Sequence, residues 1–335
     1  MSSTTFKALV VRECPDGSYQ RLIEKREVDQ LPAGDILVRV RYSSLNYKDA
    51  LSAAGNRGVT RRYPHTPGID AAGRVIQSGD NRFRNGDEVL VCGYDLGMNT
   101  PGGFGEYIRV PADWVMHIPP GLDLLRCMQI GTAGFTAGQC LMALISSGVR
   151  PENGPILVSG ATGGVGSFAV ALLHRLGFAV TAVTGKKEAH PFLQELGATD
   201  FLDRTQATVG ADKMLLRERW AGAIDTVGGQ ILATTIKSTR YGGTVACCGN
   251  AMAAELDLNV YPFILRGVRL QGIDSAQCPM AKRTQIWEHL ADDWNVPGLD
   301  AISRTVSLEE VEACIDLMLA GKNTGRIVID LGDET

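Results

Sequence analysis

The sequence predicts an α/β protein in which a β-rich domain is followed by a parallel, doubly wound sheet. In the first third of the 335 residues, short apolar runs are separated by glycine and proline turns, a spacing typical of a compact barrel-type β domain. From about Cys127 onward, apolar runs alternate with segments of helical composition, which indicates βα units and a parallel sheet. The chain is also too long for one compact core, so two domains are expected.

The elements of the β-rich part are predicted from apolar runs bounded by turn residues. These strands are expected at 8–11, 36–42, 73–77, 88–91 and 107–110. Near the C-terminus a helix around 282–291 is followed by an amphipathic helix at 308–320 and a strand at 326–331. We expect this last strand to return to the first domain. The β-rich domain would then cover 1–127, completed by about 276–335, and the second domain would cover 128–275.

The elements of the second part alternate in type. In chain order they are helix 136–147, strand 156–158, helix 167–176, strand 179–183, helix 191–196, a strand around Phe201, strand 222–225, helix 230–239, strand 243–248 and strand 268–272.

A glycine-rich turn between a strand and a helix is the strongest functional signal in the chain. The run 156–158 leads into Ser-Gly-Ala-Thr-Gly-Gly-Val-Gly at 159–166, with the pattern Ala161-x-Gly163-x-x-Gly166. Alanine replaces the first glycine of the usual dinucleotide-binding pattern. Glycines let the backbone approach a pyrophosphate, and the helix N-terminus supplies N–H donors. An ordinary tight turn is the alternative, but the flanking strand and helix favour a cofactor site.

The end of the second strand indicates which nicotinamide cofactor is bound. NAD enzymes place Asp or Glu there to bind the ribose hydroxyl. This chain instead has Thr184, Gly185, Lys186 and Lys187. A hydroxyl and two lysines suit an anionic 2′-phosphate, so we predict NADP rather than NAD. The alternative is that the two lysines only begin a solvated helix.

Composition narrows the class of partner and the compartment. The net charge of −4 gives no general attraction for nucleic acid or an anionic membrane. The N-terminus lacks the apolar core of a signal peptide, and no apolar run is long enough to span a bilayer. The 8 cysteines form no C-x-x-C pair, which argues against a zinc ribbon or a disulfide framework. We therefore expect a cytoplasmic protein with no nucleic-acid or membrane partner.

Several motifs together carry a family resemblance over nearly the whole chain. They are SSLNYKDAL at 43–51, PGIDAAG at 67–73, IGTAGFTA at 130–137, WAGAIDTVG at 220–228 and PFILRGVRLQGIDS at 262–275. The chain resembles the quinone-oxidoreductase-like branch of the medium-chain dehydrogenase/reductase superfamily, and within it the bacterial NADPH-dependent acrylyl-CoA reductases. The resemblance implies a GroES-like catalytic domain, a Rossmann domain, a homodimer, and reduction of acryloyl-CoA to propionyl-CoA.

The resemblance also implies a zinc-independent enzyme with no metal ligands. Zinc-dependent members of the superfamily carry a histidine–glutamate pair where this chain has Ile69 and Asp70, and their cysteine-rich lobe is absent. None of the 5 histidines has ligand spacing to a cysteine or glutamate.

Cofactor-binding roles fall on the positions that match the family's motifs. The pyrophosphate turn is Thr162, Gly163, Gly164 and Val165, closed by Gly166. The 2′-phosphate pocket is Thr184, Gly185 and Lys186, and Arg204 reaches the adenosine end. Asn250 follows the strand end at 247–249, Ile264 and Ser275 lie in the cofactor-facing segment near the nicotinamide, and Asn323 lies in the returning loop. At Asn250 a backbone contact is expected rather than a side-chain contact. For two of these positions another reading stays open, because Ile264 fits a core residue and Arg204 fits a surface charge.

Tyr47 is the predicted catalytic residue, because the family motif brings it to the nicotinamide and a phenol is protonated near neutral pH. Its alternative role is stacking on the cofactor or packing. Asn46 and Asp49 are expected to organise the same loop. Arg57, Arg61 and Arg62 form a basic cluster that would either bind CoA phosphates or remain solvated.

The sequence thus favours NADPH-dependent reduction of the 2,3 double bond of a short enoyl-CoA, with Tyr47 or water as proton source. A quinone or 2-alkenal reductase is the nearest alternative. A crystallin-like protein that binds NADPH without chemistry, or binds RNA, is an alternative of another class, and the negative net charge argues against RNA.

Overall fold

The computed structural model describes residues 4–332, and the chain divides into two compact units. The first unit comprises the described part of Met1–Thr132, Ala276–Ala291 and Gly298–Thr335. The second comprises Ala133–Ser275 and Asp292–Pro297. In chain order, most of the second unit is therefore inserted between segments of the first unit.

The first unit is mainly β-structure. Its strands are β1 (Thr5–Glu13), β2 (Tyr19–Glu27), β3 (Ile36–Leu45), β4 (Asp70–Ser78), β5 (Glu88–Cys92), β6 (Tyr107–Val110), β7 (Met116–His117), β14 (Ser303–Ser307) and β15 (Arg326–Asp330). Its helices are α1 (Tyr47–Ala53), α8 (Met280–Ala291), α9 (Leu299–Ile302) and α10 (Val311–Leu319), and α2 (Leu124–Ser146) begins in this unit and continues into the second.

Two sheets account for the strands of the first unit within residues 4–332. Strands β1 and β2 form an antiparallel hairpin. The larger sheet runs β14-β15-β3-β4-β5-β7, and β6 pairs with β3. The returning strand β15 is antiparallel to β3, with Ile327 opposite Leu45. This pairing carries Arg326 to the end of β3, where the candidate catalytic loop begins.

The core of the first unit is aliphatic. Valine and isoleucine dominate because branched side chains pack well on a pleated surface. One cluster includes Val38, Val40, Val75 and Val89 in the larger sheet. A second packs Leu45 of β3 and Ile327 of β15 against α1 and α10.

The second unit is a parallel sheet covered by helices. Its strands are β8 (Ile156–Ser159), β9 (Val180–Val183), β10 (Asp200–Leu202), β11 (Trp220–Asp225), β12 (Thr239–Cys247) and β13 (Arg269–Gly272). Its helices are α3 (Gly164–Arg175), α4 (His190–Glu195), α5 (Arg204–Ala207), α6 (Gly229–Lys237) and α7 (Tyr261–Arg266), with the second half of α2. In the described chain the strand order is β10-β9-β8-β11-β12-β13, with every pairing parallel.

The strand order reverses between the neighbours β8 and β11. Strands β9 and β10 lie on one side of β8, and β11 to β13 lie on the other, as in doubly wound dinucleotide-binding folds. The predicted α/β class with a doubly wound parallel sheet is confirmed.

Some elements differ from the sequence prediction, each for a local reason. Strand β2 was missed because its residues are mostly polar and exposed, so it shows no clear apolar alternation. Helix α6 ends at Lys237, and β12 begins at Thr239, where a helix had been predicted to continue. Helix α2 begins earlier than predicted because the chain stays helical on both sides of a break at Gly131, whose φ is 50°.

None of the helices in the described chain has the length and apolar composition needed to cross a membrane.

Candidate functional site

The glycine-rich turn lies between β8 and α3, at the C-terminal edge of the parallel sheet. Gly160 has φ +59°, and a Cβ there would overlap the Thr226 hydroxyl. A Cβ on Gly166 would overlap the carbonyl oxygen of Gly160. Glycine is therefore required at both positions. Ala161, which replaces the first glycine of the usual pattern, is fully buried and faces the interior.

The first turn of α3 has N–H donors of the kind that suit an anion. The helix has 12 residues, and its N-cap is Gly163, which offers no capping side chain. The N–H groups of Gly164, Val165 and Gly166 lie in the first turn, where no acceptor exists within the helix. These donors and the helix dipole suit a pyrophosphate. The buried Thr162 lies immediately before this turn.

A second feature lies at the end of β9, where two cations meet. The buried Thr184 donates its N–H to the Leu202 carbonyl at 3.0 Å, and its Oγ1 accepts the Lys186 N–H at 3.1 Å. A Cβ on Gly185 would lie 3.1 Å from Nε of Arg204. Burial lowers the pKa of Lys186, and the neighbouring Arg204 charge lowers it further while Glu188 raises it.

Two cations that repel each other this way favour an anion placed between them. No carboxylate occupies the end of β9, so the geometry fits a 2′-phosphate and not a ribose diol. Glu188 comes later, in the following helical turn.

The remaining cofactor candidates of the second unit lie beyond β12. Asn250 is exposed, and the loop after it is held by Met252 N–H donating to Val227 O at 2.9 Å. Ile264 on α7 is 68% exposed, so the alternative that it is a core residue is wrong. Ser275, half-buried, is the last residue of this part of the unit.

Tyr47 lies in the first unit, at the first position of α1, and is 46% exposed. Asn46 is the N-cap, and its N–H donates to Asp49 Oδ2 at 2.8 Å. Asp49 Oδ1 also accepts the N–H groups of Gly68 at 3.1 Å and Ile69 at 2.9 Å. The loop that presents Tyr47 is therefore pinned by one buried carboxylate. Burial raises the pKa of Asp49 to about 7, with the Asp70 charge adding to the rise.

A buried ionic network beneath this loop was not predicted from the sequence as a site. Asp70 is fully buried and accepts from Ser44 Oγ at 2.6 Å, Asn46 Nδ2 at 2.8 Å and Thr132 Oγ1 at 2.6 Å. The buried Arg326 guanidinium lies 3.9 Å from Asp70 Oδ2. The signal that could have found it is an arginine beginning the apolar strand Arg-Ile-Val-Ile at 326–329, since such a charge needs a buried partner.

Arg326 also ties three segments of the first unit together. It donates to Ser44 Oγ at 2.8 Å and to the carbonyl of Gln129 at 3.2 Å. The break in α2 makes room for it, because a Cβ on Gly131 would overlap Arg326 Nη2. Burial lowers the pKa of Arg326, and the Asp70 charge opposes that shift.

The other predicted positions of the first unit differ in their surroundings. Asn323 is half-buried, and its Nδ2 donates to Gly325 O at 3.1 Å. Arg57 is paired with Glu13 at 2.6 Å and donates to the Arg61 carbonyl at 2.8 Å. Its charge is therefore already compensated, which weakens its candidacy as a CoA-phosphate ligand.

No group of three or more His, Cys, Asp or Glu side chains suited to a metal ion occurs among residues 4–332. Asp70, at the position of the zinc ligand pair of metal-dependent relatives, directs both carboxylate oxygens to donors of the protein itself. Both oxygens of Asp70 therefore have hydrogen-bond partners within the protein, which is typical of a carboxylate with a structural role.

Comparison with protein families gives two matches. Residues 32–120 match the alcohol dehydrogenase GroES-like domain, and residues 164–292 match the zinc-binding dehydrogenase family.

Relatives of nearly full length are also found. The chain is 44% identical over 317 residues to the probable acrylyl-CoA reductase AcuI of Escherichia coli, covering 95% of this chain and 97% of that one. It is 42% identical over 327 residues to acrylyl-CoA reductase AcuI of Ruegeria pomeroyi, covering 97% and 99%. It is also 42% identical over 330 residues to the putative quinone oxidoreductase YhfP of Bacillus subtilis, covering 98% and 100%.

Two solved structures are similar to this chain in fold and sequence. The structure of E. coli YhdH with bound NADPH has a TM-score of 0.94 and 44% identity, covering 97% of this chain and 100% of that one. The structure of B. subtilis YhfP with bound NAD also has a TM-score of 0.94, with 42% identity and coverage of 98% and 100%.

Proposed function

The chain belongs to the acrylyl-CoA reductase family of the medium-chain dehydrogenase/reductase superfamily, and from this premise we propose that it reduces the 2,3 double bond of a short enoyl-CoA with NADPH. The favoured substrate is acryloyl-CoA and the product is propionyl-CoA. The chain is then an oxidoreductase acting on a CH–CH bond, as the relatives named acrylyl-CoA reductase are.

The observation that carries the cofactor assignment is the pair of cations, Lys186 and Arg204, at the end of β9. Arg204 packs against Gly185 and its charge acts on Lys186, while the buried Thr184 adds a hydroxyl. These groups would hold the 2′-phosphate through charge-assisted hydrogen bonds. The relative crystallised with NADPH supports the same cofactor.

The other matched positions are proposed as further contacts of the cofactor. The pyrophosphate would bind at Thr162 and the first-turn N–H groups of Gly164, Val165 and Gly166. Gly163 would serve as the N-cap without a side chain, since its own N–H already donates to Gly160 O at 2.9 Å. Asn250, Ile264 and Ser275 are proposed as cofactor contacts, and so, each considered within its own unit, are Tyr47 and Asn323.

When bound, NADPH would supply the hydride that the β-carbon of the enoyl thioester accepts. The protein must then deliver a proton to the α-carbon, and we assign this to the Tyr47 hydroxyl, with water as the alternative donor. The Tyr47 hydroxyl can donate a hydrogen bond, and the side chain is half-exposed at the first position of α1, so it is accessible to a ligand. Negative charge developing on the thioester oxygen requires nearby donors.

The buried network holds in place the N-terminus of α1, where Tyr47 lies. Asn46, immediately before it, is held through its side chain by Asp70 at 2.8 Å and Arg326 at 3.0 Å, and through its backbone by Asp49 at 2.8 Å. Positioning a general acid on such a preorganised loop limits the motion that would otherwise reduce proton transfer.

The reaction is proposed to proceed without zinc. The family match carries a zinc-binding name, but Ile69 and Asp70 replace the histidine–glutamate pair, and Asp70 is used inside the protein.

The working form is proposed to be a cytoplasmic homodimer. All four residues of the edge strand β13 are exposed, and an exposed edge of this kind is a template for pairing with a second copy. Apolar side chains at Ile264, Leu265 and Leu270 lie on α7 and β13 in the same unit. The eight cysteines carry no disulfide in the structure, as expected in a reducing compartment.

Reduction of quinones or 2-alkenals is the second candidate function, favoured by the 42% identity to the putative quinone oxidoreductase YhfP. The cofactor site serves both reactions equally. The two differ in whether the enzyme uses the CoA portion of the substrate.

The deciding experiment measures NADPH oxidation with acryloyl-CoA, crotonyl-CoA and a benzoquinone at matched concentrations. We expect kcat/KM to be highest for acryloyl-CoA. Higher kcat/KM for the quinone would favour the second candidate, and no turnover with any substrate despite NADPH binding would favour a non-enzymatic protein.

A further inference from the structure

A buried carboxylate, Asp225, lies at the C-terminal edge of the parallel sheet in the second unit. It is the last residue of β11, and the equally buried Ser159 is the last residue of the neighbouring strand β8. The Ser159 hydroxyl donates to Asp225 Oδ1 at 2.7 Å. Its oxygen also accepts the N–H of Thr226 at 2.9 Å, and the Thr226 hydroxyl donates to the Ser159 carbonyl at 2.9 Å. The residue that begins the glycine-rich turn is therefore held against the end of β11.

The other oxygen of this carboxylate holds the turn that leads into α6. Asp225 Oδ2 accepts the N–H of Gly228 at 2.8 Å. Gly228 has φ +71°, and a Cβ there would overlap the carbonyl oxygen of Ala253, so the close approach of the two segments requires glycine. The N–H of Met252 also donates to the Val227 carbonyl at 2.9 Å. The loop after β12 therefore packs on the turn that Asp225 holds.

The end of β12 is attached to the same place on β11. The N–H of Cys248 donates to the Asp225 carbonyl at 2.9 Å, and a Cβ on Gly249 would press on the Thr226 carbonyl oxygen. Asn250, which is proposed as a cofactor contact, comes next in the chain. The side chain and the backbone of Asp225 thus connect the glycine-rich turn with the loop that carries Asn250.

We propose that Asp225 is a positioning residue for NADPH binding, because it fixes the glycine-rich turn and the loop after β12 relative to each other. The inference rests on the proposed function, in which both segments contact the cofactor. Without the carboxylate, the Ser159 hydroxyl and the Gly228 N–H would lose their acceptor, which is costly for buried groups. The two segments would then hold the binding arrangement for only part of the time, and apparent affinity falls in proportion to that fraction.

Two substitutions of Asp225 differ in how many acceptors they remove. Asp225→Ala removes both. Asp225→Asn keeps an oxygen that can accept the Gly228 N–H, but its amide nitrogen cannot accept the Ser159 hydroxyl proton. We expect the affinity for NADPH to fall about tenfold in Asp225→Ala, the effect of losing one buried acceptor, and by less in Asp225→Asn.

Isothermal titration of the full-length protein with two ligands separates positioning from a general loss of structure. NADPH is the first ligand. The second is adenosine 2′-phosphate, which carries the phosphate that the proposed function assigns to Lys186 and Arg204 but has neither pyrophosphate nor nicotinamide. Its affinity should stay close to that of wild type in both Asp225 variants. Equal weakening of both ligands, or unchanged NADPH affinity in Asp225→Ala, would overturn the positioning role.

Thr239→Val is the matched control for a buried hydrogen bond at the opposite edge of the sheet. Thr239 is the first residue of β12, and its buried Oγ1 donates to the Thr235 carbonyl at 2.8 Å. This variant should lower Tm and leave the affinities for both ligands unchanged. A fall in NADPH affinity alone in this control, equal to that of Asp225→Ala, would also overturn the proposal.

Ser159→Ala tests the same contact if Asp225→Ala does not fold, because it removes one hydroxyl and leaves the bond between Asp225 and Gly228 in place. We expect weaker NADPH binding and unchanged binding of adenosine 2′-phosphate, and wild-type affinity for NADPH would then refute the role of Asp225. Wild-type protein that does not bind NADPH would instead refute the proposed function.

Discussion

The Nη1 group of Arg326 donates to Oδ1 of Asn46 at 3.0 Å, joining the last strand of the chain to the residue before Tyr47. The same guanidinium lies 3.9 Å from Asp70 Oδ2. A pair of side chains 280 positions apart in sequence thus fixes the beginning of α1. Because both charges are buried, each depends on the other to offset the loss of hydration.

Replacing Arg326 with Leu should destabilise the first unit. Asp70 would keep its hydrogen bonds but lose its buried counter-charge, and breaking such a pair costs roughly 3–5 kcal/mol. We expect a large fall in Tm, measured by circular dichroism. The double variant Asp70→Asn/Arg326→Leu should lose less than the sum of the two single losses, as coupled residues do. Additive losses would show that the two charges do not interact.

Replacing Lys186 with Ala should weaken NADPH binding and leave NADH binding nearly unchanged. A charge-assisted contact contributes about 1.5–3 kcal/mol, or roughly ten- to a hundredfold in affinity. Lys187→Ala is the matched control, because Lys187 is the exposed neighbour and should not matter. Isothermal titration with both cofactors checks this. Equal binding of NADH and NADPH by wild type would contradict the assignment.

The fold followed from the sequence because apolar periodicity and glycine turns are local signals. The run 156–158 with the glycines after it predicts β8, the turn and α3, and all three occur there. The missing acid after β9 is a local signal of the same kind. The role of Arg204 depended on resemblance, since its approach to Gly185 comes from packing between separate βα units.

The network around Asp70 could not be predicted in the same way. Its members come from β3, β4, α2 and β15, and only the sheet register aligns Leu45 with Ile327. Nothing in the spacing of Asp70 and Arg326 indicates that pairing. The ion pair between Arg57 and Glu13 likewise joins the loop after α1 to the last residue of β1, a contact that spacing in the sequence does not indicate.

Removal of metal ions should leave activity intact. Asp70 is satisfied by Ser44 and Thr132, and the described part of the chain offers no cluster of metal-ligating side chains. After prolonged dialysis against EDTA, NADPH oxidation with acryloyl-CoA should continue at the original rate, with metal content followed by mass spectrometry. Stoichiometric zinc whose removal abolishes activity, and whose return restores it, would refute zinc independence.

Stability should fall in mild acid through His65. This residue is buried, and burial lowers its pKa below the usual 6.5, so the folded state binds its proton less readily than the unfolded state does. Its contribution is complete above pH 6.5 and is lost as the pH falls through the folded-state pKa. His65→Gln, which keeps a donor for Gly97 O, is the reference.

The difference in Tm between wild type and His65→Gln should shift against wild type as the pH falls from 7.5 to below 6.5. Thermal unfolding of both proteins in matched buffers measures it. A difference that stays constant over that range would show that His65 does not titrate with folding.

Replacing Tyr47 with Phe should reduce catalysis without reducing stability. The phenol is 46% exposed, so removing its hydroxyl sacrifices little packing, whereas a positioned general acid contributes roughly 10²–10⁴-fold. We expect kcat for acryloyl-CoA to fall by about that factor, with Tm and NADPH affinity close to those of wild type. Steady-state kinetics, thermal unfolding and cofactor titration measure the three quantities.

Tyr63→Phe is the matched control for this substitution. The Tyr63 hydroxyl donates to the Ser52 carbonyl at 2.7 Å in the same unit, so its loss should lower Tm while kcat is retained. If Tyr47→Phe stays within about threefold of the wild-type kcat, the barrier has changed by well under 1.36 kcal/mol. Water would then be the proton source, and Tyr47 would act only as a contact for the cofactor. A selective fall in kcat, with the control behaving oppositely, identifies the Tyr47 hydroxyl as the proton donor.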